Sequence, residues 1–325
     1  MKFITGILLG LLLGVAAEGI LVGAAIRGRP IPSTDGLAAG FAYKQHLADT
    51  TQGPKILFVG GSSVDLGISA KQATQELGIP CINYGFMVPM GLDYILHLAR
   101  KAAKPGDTVV LVIEYNLYDW PGHSTAWLDP MYVRYVSSQD DGYLRTLPLS
   151  DQGQVLSHIS DIQILDALFR SSAKNALDVD SSGFRNAFGD RTDNTRKARP
   201  LEATWRSRPL QILKDGYSAH PKGFPAVRDF CEWAKVHRVR VIATFPNIAS
   251  NQAYKPEMLA QTERRLRDFY QTLDVPVVGS MEQATFPQSD CYDTLYHLVD
   301  DAVSKRTIAL VDLLKPALKT EQQPE

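Results

Sequence analysis

Apolar residues along this chain fall into two kinds of run. Short, nearly unbroken runs occur at Lys55–Val59, Cys81–Tyr84, Thr108–Glu114, Val239–Phe245 and Val275–Val278. Runs this short and this apolar, bounded by turn residues, predict strands buried on both faces. Between them apolar positions recur at helical spacing over Val64–Leu77, Met90–Ala103, Ala226–His237, Pro256–Leu273 and Ala302–Leu318. Gly78-Ile-Pro80, Lys104-Pro-Gly-Asp107 and Pro246-Asn247 punctuate the pattern as turns. Strands alternating with helices through short turns require right-handed crossovers and a parallel sheet. The predicted class is therefore α/β, a flavodoxin-like three-layer α/β/α fold with a parallel sheet of about five strands.

The alternation is interrupted once and preceded by something different. From Asp119 to Gly223 there are aromatics, turns and a helical stretch near Ile159–Leu168, but no strand–helix rhythm. A structureless loop of that length does not suit a compact domain, so residues 119–223 are expected to be a partly helical insertion. It is placed over the sheet's carboxyl edge, with Arg185, Arg191, Arg196, Arg199, Arg206 and Arg208 on a solvated surface. At the other end, Phe3–Ile26 is apolar except for Glu18, and about 20 such residues span a bilayer as a helix. A cleaved signal peptide would end near Val15-Ala16-Ala17, whereas an anchor would use the whole run. The expected organisation is an anchor or signal peptide (1–27), a linker with a short helix near Leu37–Leu47 (28–54), one α/β domain (55–318) and a disordered tail (319–325). Either reading exports the rest of the chain.

Composition narrows the choices further. With 34 basic and 35 acidic residues in 325, the net charge is -1, without the basic footprint of a nucleic-acid binder. Cys81, Cys231 and Cys291 show no CxxC spacing. In an oxidising compartment they allow one disulfide, and the sequence does not choose the pair. No two His residues, nor His and Cys, stand at ligand spacing on one element, so no metal or cofactor is expected.

The candidate chemistry lies beyond the carboxyl ends of the strands, where open α/β sheets bind ligands. The first strand runs into Gly60-Gly61-Ser62-Ser63 and then into a helix, leaving a serine exposed near free N–H groups. A helix cap is the simpler role for either serine. Serine becomes a nucleophile only beside a base, which works best when a carboxylate fixes its tautomer. The segment Ser289–Leu298, after the last strand, supplies His297 with Asp293 and Asp290, on the same edge as the serines. The other six histidines lack that setting.

These stretches resemble the SGNH (GDSL-like) hydrolase superfamily. Ile56-Leu-Phe-Val-Gly-Gly-Ser62 is similar to its first block, with Gly61 where the family usually has Asp. Asn83-Tyr-Gly85 is similar to the second block, Glu114-Tyr-Asn116 stands where the third lies, and Asp293 to His297 resembles the last. The resemblance implies Ser62 as nucleophile, His297 as base, Asp293 as its orienter, and Gly85 and Asn116 as oxyanion donors. Departures remain: Asp-x-x-x-His replaces Asp-x-x-His, and the third block lacks its preceding Gly. Ser63, Glu114 and Asp290 therefore stay as alternatives.

The resemblance also implies a place and a function: the periplasmic side of a bacterial inner membrane, held there through residues 3–26, and O-acyl transfer or hydrolysis on a cell-envelope polysaccharide or similar ester, with a membrane acyl donor protein as a further partner. A scaffold or polysaccharide-binding subunit without catalysis is the rival, and the block departures suit it. A nucleotide-binding reading lacks Gly-x-Gly-x-x-Gly or Gly-Lys-Ser/Thr.

Overall fold

Five of the apolar runs pair into one sheet. The strands are β1 (Ile56–Gly60), β2 (Cys81–Gly85), β3 (Thr108–Val112), β4 (Arg240–Thr244) and, after two further residues paired as β5 (Ile248–Ala249), β6 (Val277–Val278). Their order is β2-β1-β3-β4-β6, and every pairing is parallel. A small second sheet, absent from the sequence reading, pairs β5 with β7 (Thr285–Phe286). The computed structural model describes residues 2–26, 35–120, 122, 128–159, 184–200, 209–218 and 220–319, with side chains of the first helix described at 3–17 and 19.

The chain divides into two units, 1–40 with 123–181 and 41–122 with 182–325. The helices are α1 (Lys2–Ile26), α2 (Asp35–Thr50), α3 (Ser62–Asp65), α4 (Ala70–Leu77), α5 (Leu92–Ala102), α6 (Pro130–Gln139), α7 (Asp141–Thr146) and α8 (Leu149–Ser157). They continue with α9 (Gln211–Asp215), α10 (Phe224–Val236), α11 (Pro256–Gln271) and α12 (Asp300–Lys319).

In the larger unit the sheet lies between helix layers. Ile56, Phe58, Val110, Val112 and Ile242 pack with Ala70 and Ala73 of α4 and Leu310, Val311 and Leu314 of α12. The alternate strand residues Leu57, Val59, Val109 and Leu111 are equally buried, and α5 packs on β1 and α10 on β4. Both faces are covered, so the strands read as continuous apolar runs. Burying one such side chain contributes about 1.5–3 kcal/mol, and these layers hold the fold together. The helix expected at Val64–Leu77 is broken in two. Ser69 caps α4 by accepting from the Gln72 N–H at 3.2 Å, which starts a new helix after the single turn of α3. Gly78, at φ 68°, ends α4.

The smaller unit contains α1 and the helical run α6–α8, capped by Asp129 and Asp140 through the N–H groups of Met131 and Tyr143. Most of residues 130–157 are thus helical. The helix expected at Ile159–Leu168 falls, from residue 160 on, outside the described residues, as do Arg206, Arg208 and the tail from 320. Among the described residues no helix is long and apolar enough to cross a membrane. In α1 the large apolar side chains from Phe3 to Val15 are exposed. Tyr118 and Tyr132 are buried core residues.

Candidate active site

The turn after β1 is built around two glycines, Gly60 packed against backbone and Gly61 against a side chain. A Cβ on Gly60 would lie 2.1 Å from the Val112 carbonyl oxygen, so β1 and β3 close together only with glycine there. A Cβ on Gly61 would lie 2.5 Å from Glu114 Oε1. Glu114 stands just past β3, fully buried. It accepts from the Gly61 N–H at 2.9 Å and from the Ser63 N–H at 2.7 Å. Burial pushes its carboxyl above the ordinary value, and the N–H groups of Ser63 and Gly61 oppose that shift. Ser62 opens α3 and is half-buried, whereas Ser63 is fully buried with its hydroxyl unpaired.

The second half of the site is a hairpin that closes on itself. Cys291 and Leu298 form an antiparallel bridge, and the Tyr292 N–H donates to the His297 carbonyl at 2.8 Å. Inside it the His297 Nδ1 and Asp293 Oδ1 lie 2.5 Å apart. Burial raises the Asp293 carboxyl, but the hydrogen bond from His297 and its charge outweigh this and hold it below the ordinary value. The four-residue spacing is therefore what a hairpin needs to fold the carboxylate back onto the ring. Asp290 faces elsewhere: its carboxylate takes Arg196 Nη2 at 2.8 Å, with Lys305 at 4.0 Å.

The hairpin is pinned against the serine turn. The Leu298 N–H donates to the Leu66 carbonyl at 3.0 Å, four residues on from Ser62. Asn247, buried after β4, donates from Nδ2 to the Tyr296 carbonyl at 2.5 Å, and its Oδ1 fills the space a Cβ on Gly67 would take. Asn194 Nδ2 holds the Leu298 carbonyl at 2.8 Å. Two segments more than two hundred residues apart thus meet at the carboxyl edge. The Ser62 hydroxyl makes no hydrogen bond to the His297 ring among the described residues.

The two expected oxyanion donors stand in different settings. The Gly85 N–H is spent on Asn83 Oδ1 at 3.1 Å, and a Cβ there would strike the Asp65 N and Val64. Gly85 closes the packing behind the turn rather than facing it. Asn116 begins the turn after β3 with its Oδ1 buried and unpaired.

The sequence reading overlooked a charged cluster behind the turn. Asp65, at the end of α3, is buried against Lys44 Nζ at 2.6 Å and Arg185 Nη1 at 2.5 Å, with Arg191 at 3.9 Å. Lys44 also donates to Asn83 Oδ1 and the Gly85 carbonyl, which occupies all three ammonium donors. Burial pulls the Lys44 amine down to about 7 against the opposing pull of Asp65. Of the arginines expected in solvent, Arg196 is exposed and Arg185, Arg191 and Arg199 are half-buried, and all four act as straps. Arg191 pairs with Asp193, Arg196 binds Asp290, Asp301 and the Ser289 carbonyl, and Arg199 binds the Ser289 and Gln288 carbonyls. The one local signal was Asp65 itself, a carboxylate inside an apolar turn. Its partners, 21 and 120 residues away, carry no mark in the sequence.

Cys81, Cys231 and Cys291 are free and buried, and burial pushes the first two thiols up to about 12. Among the described residues no group of three or more His, Cys, Asp and Glu is arranged to hold a metal ion.

Comparison with known proteins adds little. No protein-family profile and no curated protein matches the chain. The crystal structure of a protein from Bacteroides fragilis, provisionally named an acylhydrolase, aligns over 86% of this chain and 96% of its own. The two are 13% identical with a TM-score of 0.40, a likeness too slight to carry an argument about the site.

Proposed function

We propose that this chain is a serine acyl-ester hydrolase or O-acyltransferase with Ser62 as nucleophile, His297 as base and Asp293 as the carboxylate that orients it. The observation that carries the reading is the Asp293–His297 contact of 2.5 Å, in a hairpin bonded through Leu298 to the turn that Ser62 opens. With Nδ1 engaged by Asp293, the His297 Nε2 is the nitrogen left to accept a proton. Ser62 Oγ attacks the ester carbonyl carbon as its proton passes to Nε2, and the carbonyl oxygen becomes the oxyanion. Collapse breaks the carbon–oxygen bond to the alcohol, which leaves with that proton, and the acyl group stays on Ser62. Water or a sugar hydroxyl then attacks, giving hydrolysis or transfer by the same steps in reverse. The Ser62 N–H and the Asn116 side chain are the oxyanion donors in this reading.

The substrate is an O-acyl ester on an exported polysaccharide, reached from a domain tethered by the apolar N-terminal run. A membrane acyl donor protein is the partner that transfer would require. These follow from the apolar run and the family resemblance. A fluorophosphonate probe tests the chemistry: covalent labelling of the wild type, lost in Ser62→Ala, is expected. An unlabelled wild type overturns it and favours the second reading, a non-catalytic scaffold, to which the missing Ser62–His297 hydrogen bond already lends weight.

A further inference from the structure

Gly61 and Glu114 form a matched pair across β1 and β3. The carboxylate occupies the place where any side chain on residue 61 would begin, 2.5 Å from the would-be Cβ. Its two oxygens are divided between the amides on either side of Ser62, at 2.9 Å from Gly61 N and 2.7 Å from Ser63 N. The Ser62 N–H, between them, has no hydrogen-bond partner among the described residues. One carboxylate thus fixes the two peptide planes on either side of a third and leaves that central amide unspent. Hydrogen bonds to a charged acceptor are about twice as strong as neutral ones, so this clamp dominates the local conformation.

We infer that Glu114 is a positioning residue: from the end of β3 it orders the Gly61-Ser62-Ser63 turn so that the Ser62 N–H and hydroxyl face a substrate together. The ordering is independent of the reading of Ser62 as a nucleophile, while its catalytic consequence rests on that reading. The titratable side chains that feel the Glu114 charge are the phenols of Tyr118, after β3, and Tyr296, in the hairpin, both buried. Neither ionises at physiological pH, so the clamp tightens or loosens with the carboxyl's own proton.

Three measurements test this. In the wild type, the amide resonances of Gly61 and Ser63 are expected to titrate together, with one apparent pKa above the ordinary carboxylate range. Amides that do not titrate, or titrate apart, overturn the clamp without any variant. In Glu114→Gln one oxygen becomes a donor, so one amide loses its acceptor. Its hydrogen exchange is expected to accelerate at least tenfold, and fluorophosphonate labelling of Ser62 to slow by about 10²-fold, the cost of a small misplacement. Unchanged exchange and labelling rates overturn the inference. Gly61→Asp combined with Glu114→Ala returns a carboxylate to the vacated space and is expected to recover at least part of the labelling that Glu114→Ala alone loses. A merely structural role predicts no such rescue. If the wild type is never labelled, the proposed catalysis fails, and the amide titration still decides the clamp.

Discussion

The two edges of the sheet treat their buried polar groups in opposite ways. At the amino edge, Lys55 Nζ lies 2.6 Å from Asp107 Oδ2, and both residues are 1% exposed. Asp107 also accepts the N–H groups of Lys55 and Lys104, at 3.0 and 2.8 Å. At the carboxyl edge, Ser63 Oγ, Tyr115 Oη, Asn116 Oδ1, Asn247 Oδ1 and Arg306 Nε are buried with no hydrogen-bond partner among the described residues. Arg306 Nη2 donates to the Phe245 carbonyl at 2.6 Å, and burial lowers its guanidinium to about 10. An unpaired buried group costs about 1–3 kcal/mol, so a protein tolerates several together only where something other than stability is selected. The lesson is a division of labour: one edge holds the sheet, and the other is where the proposed chemistry lies.

The contrast can be broken most sharply at the carboxyl edge. Ser62→Ala and His297→Ala are each expected to lower ester turnover on the order of 10⁶-fold while leaving the denaturation midpoint nearly unchanged, read by steady-state assay beside urea melts. Asp293→Asn is expected to cost about 10⁴-fold, because His297 loses the carboxylate that fixes its tautomer. Asp290→Asn, whose carboxylate serves Arg196 instead, is expected to leave turnover within a few-fold; equal losses in the two variants would show that the hairpin assigns its acids differently. At the amino edge the signature inverts. Asp107→Ala strands a buried ammonium and is expected to destabilise by about 3–5 kcal/mol in urea titration, with turnover per folded molecule intact.

The smallest effect sharpens the comparison through pH. Glu114 has its carboxyl raised by burial, so the folded state holds that proton more tightly than the unfolded chain. Its contribution to stability is fully present below the unfolded pKa and is lost as pH rises through the raised folded value. Glu114→Gln removes that dependence. Relative to wild type, the variant should gain stability between acidic and neutral pH, and parallel stability curves from pH 4 to 8 would contradict it. Asp293 runs the other way: its depressed carboxyl contributes stability at neutral pH that disappears as pH falls through its lowered value.

How much of this was legible in the sequence follows from range. Ile56–Gly60 and Thr108–Val112 announced themselves because a doubly covered strand must be apolar at every position. The serine turn and the His297 segment were legible because strand ends fix which loops share an edge. The break between α3 and α4 was missed because the apolar period continues through Gly67 and Ser69 while the Ser69 cap starts a new helix. Glu114 read as the last strand residue and an alternative site residue, but its contact with Gly61, 53 positions away, left no local mark. The straps from Arg185 to Arg199 looked like solvated charge because their acidic partners lie up to 120 residues off. Pairings of that range leave no local pattern.

The central claim is that the carboxyl edge brings Ser62 and His297 into one reacting unit. The crystal structure of the fluorophosphonate-treated protein tests it directly. The account predicts phosphorus bonded to Ser62 Oγ, its oxygen facing the Ser62 N–H, and His297 Nε2 within about 3 Å of the adduct. Phosphorus on Ser63 or another residue, or a His297 ring turned away from the adduct, would contradict it.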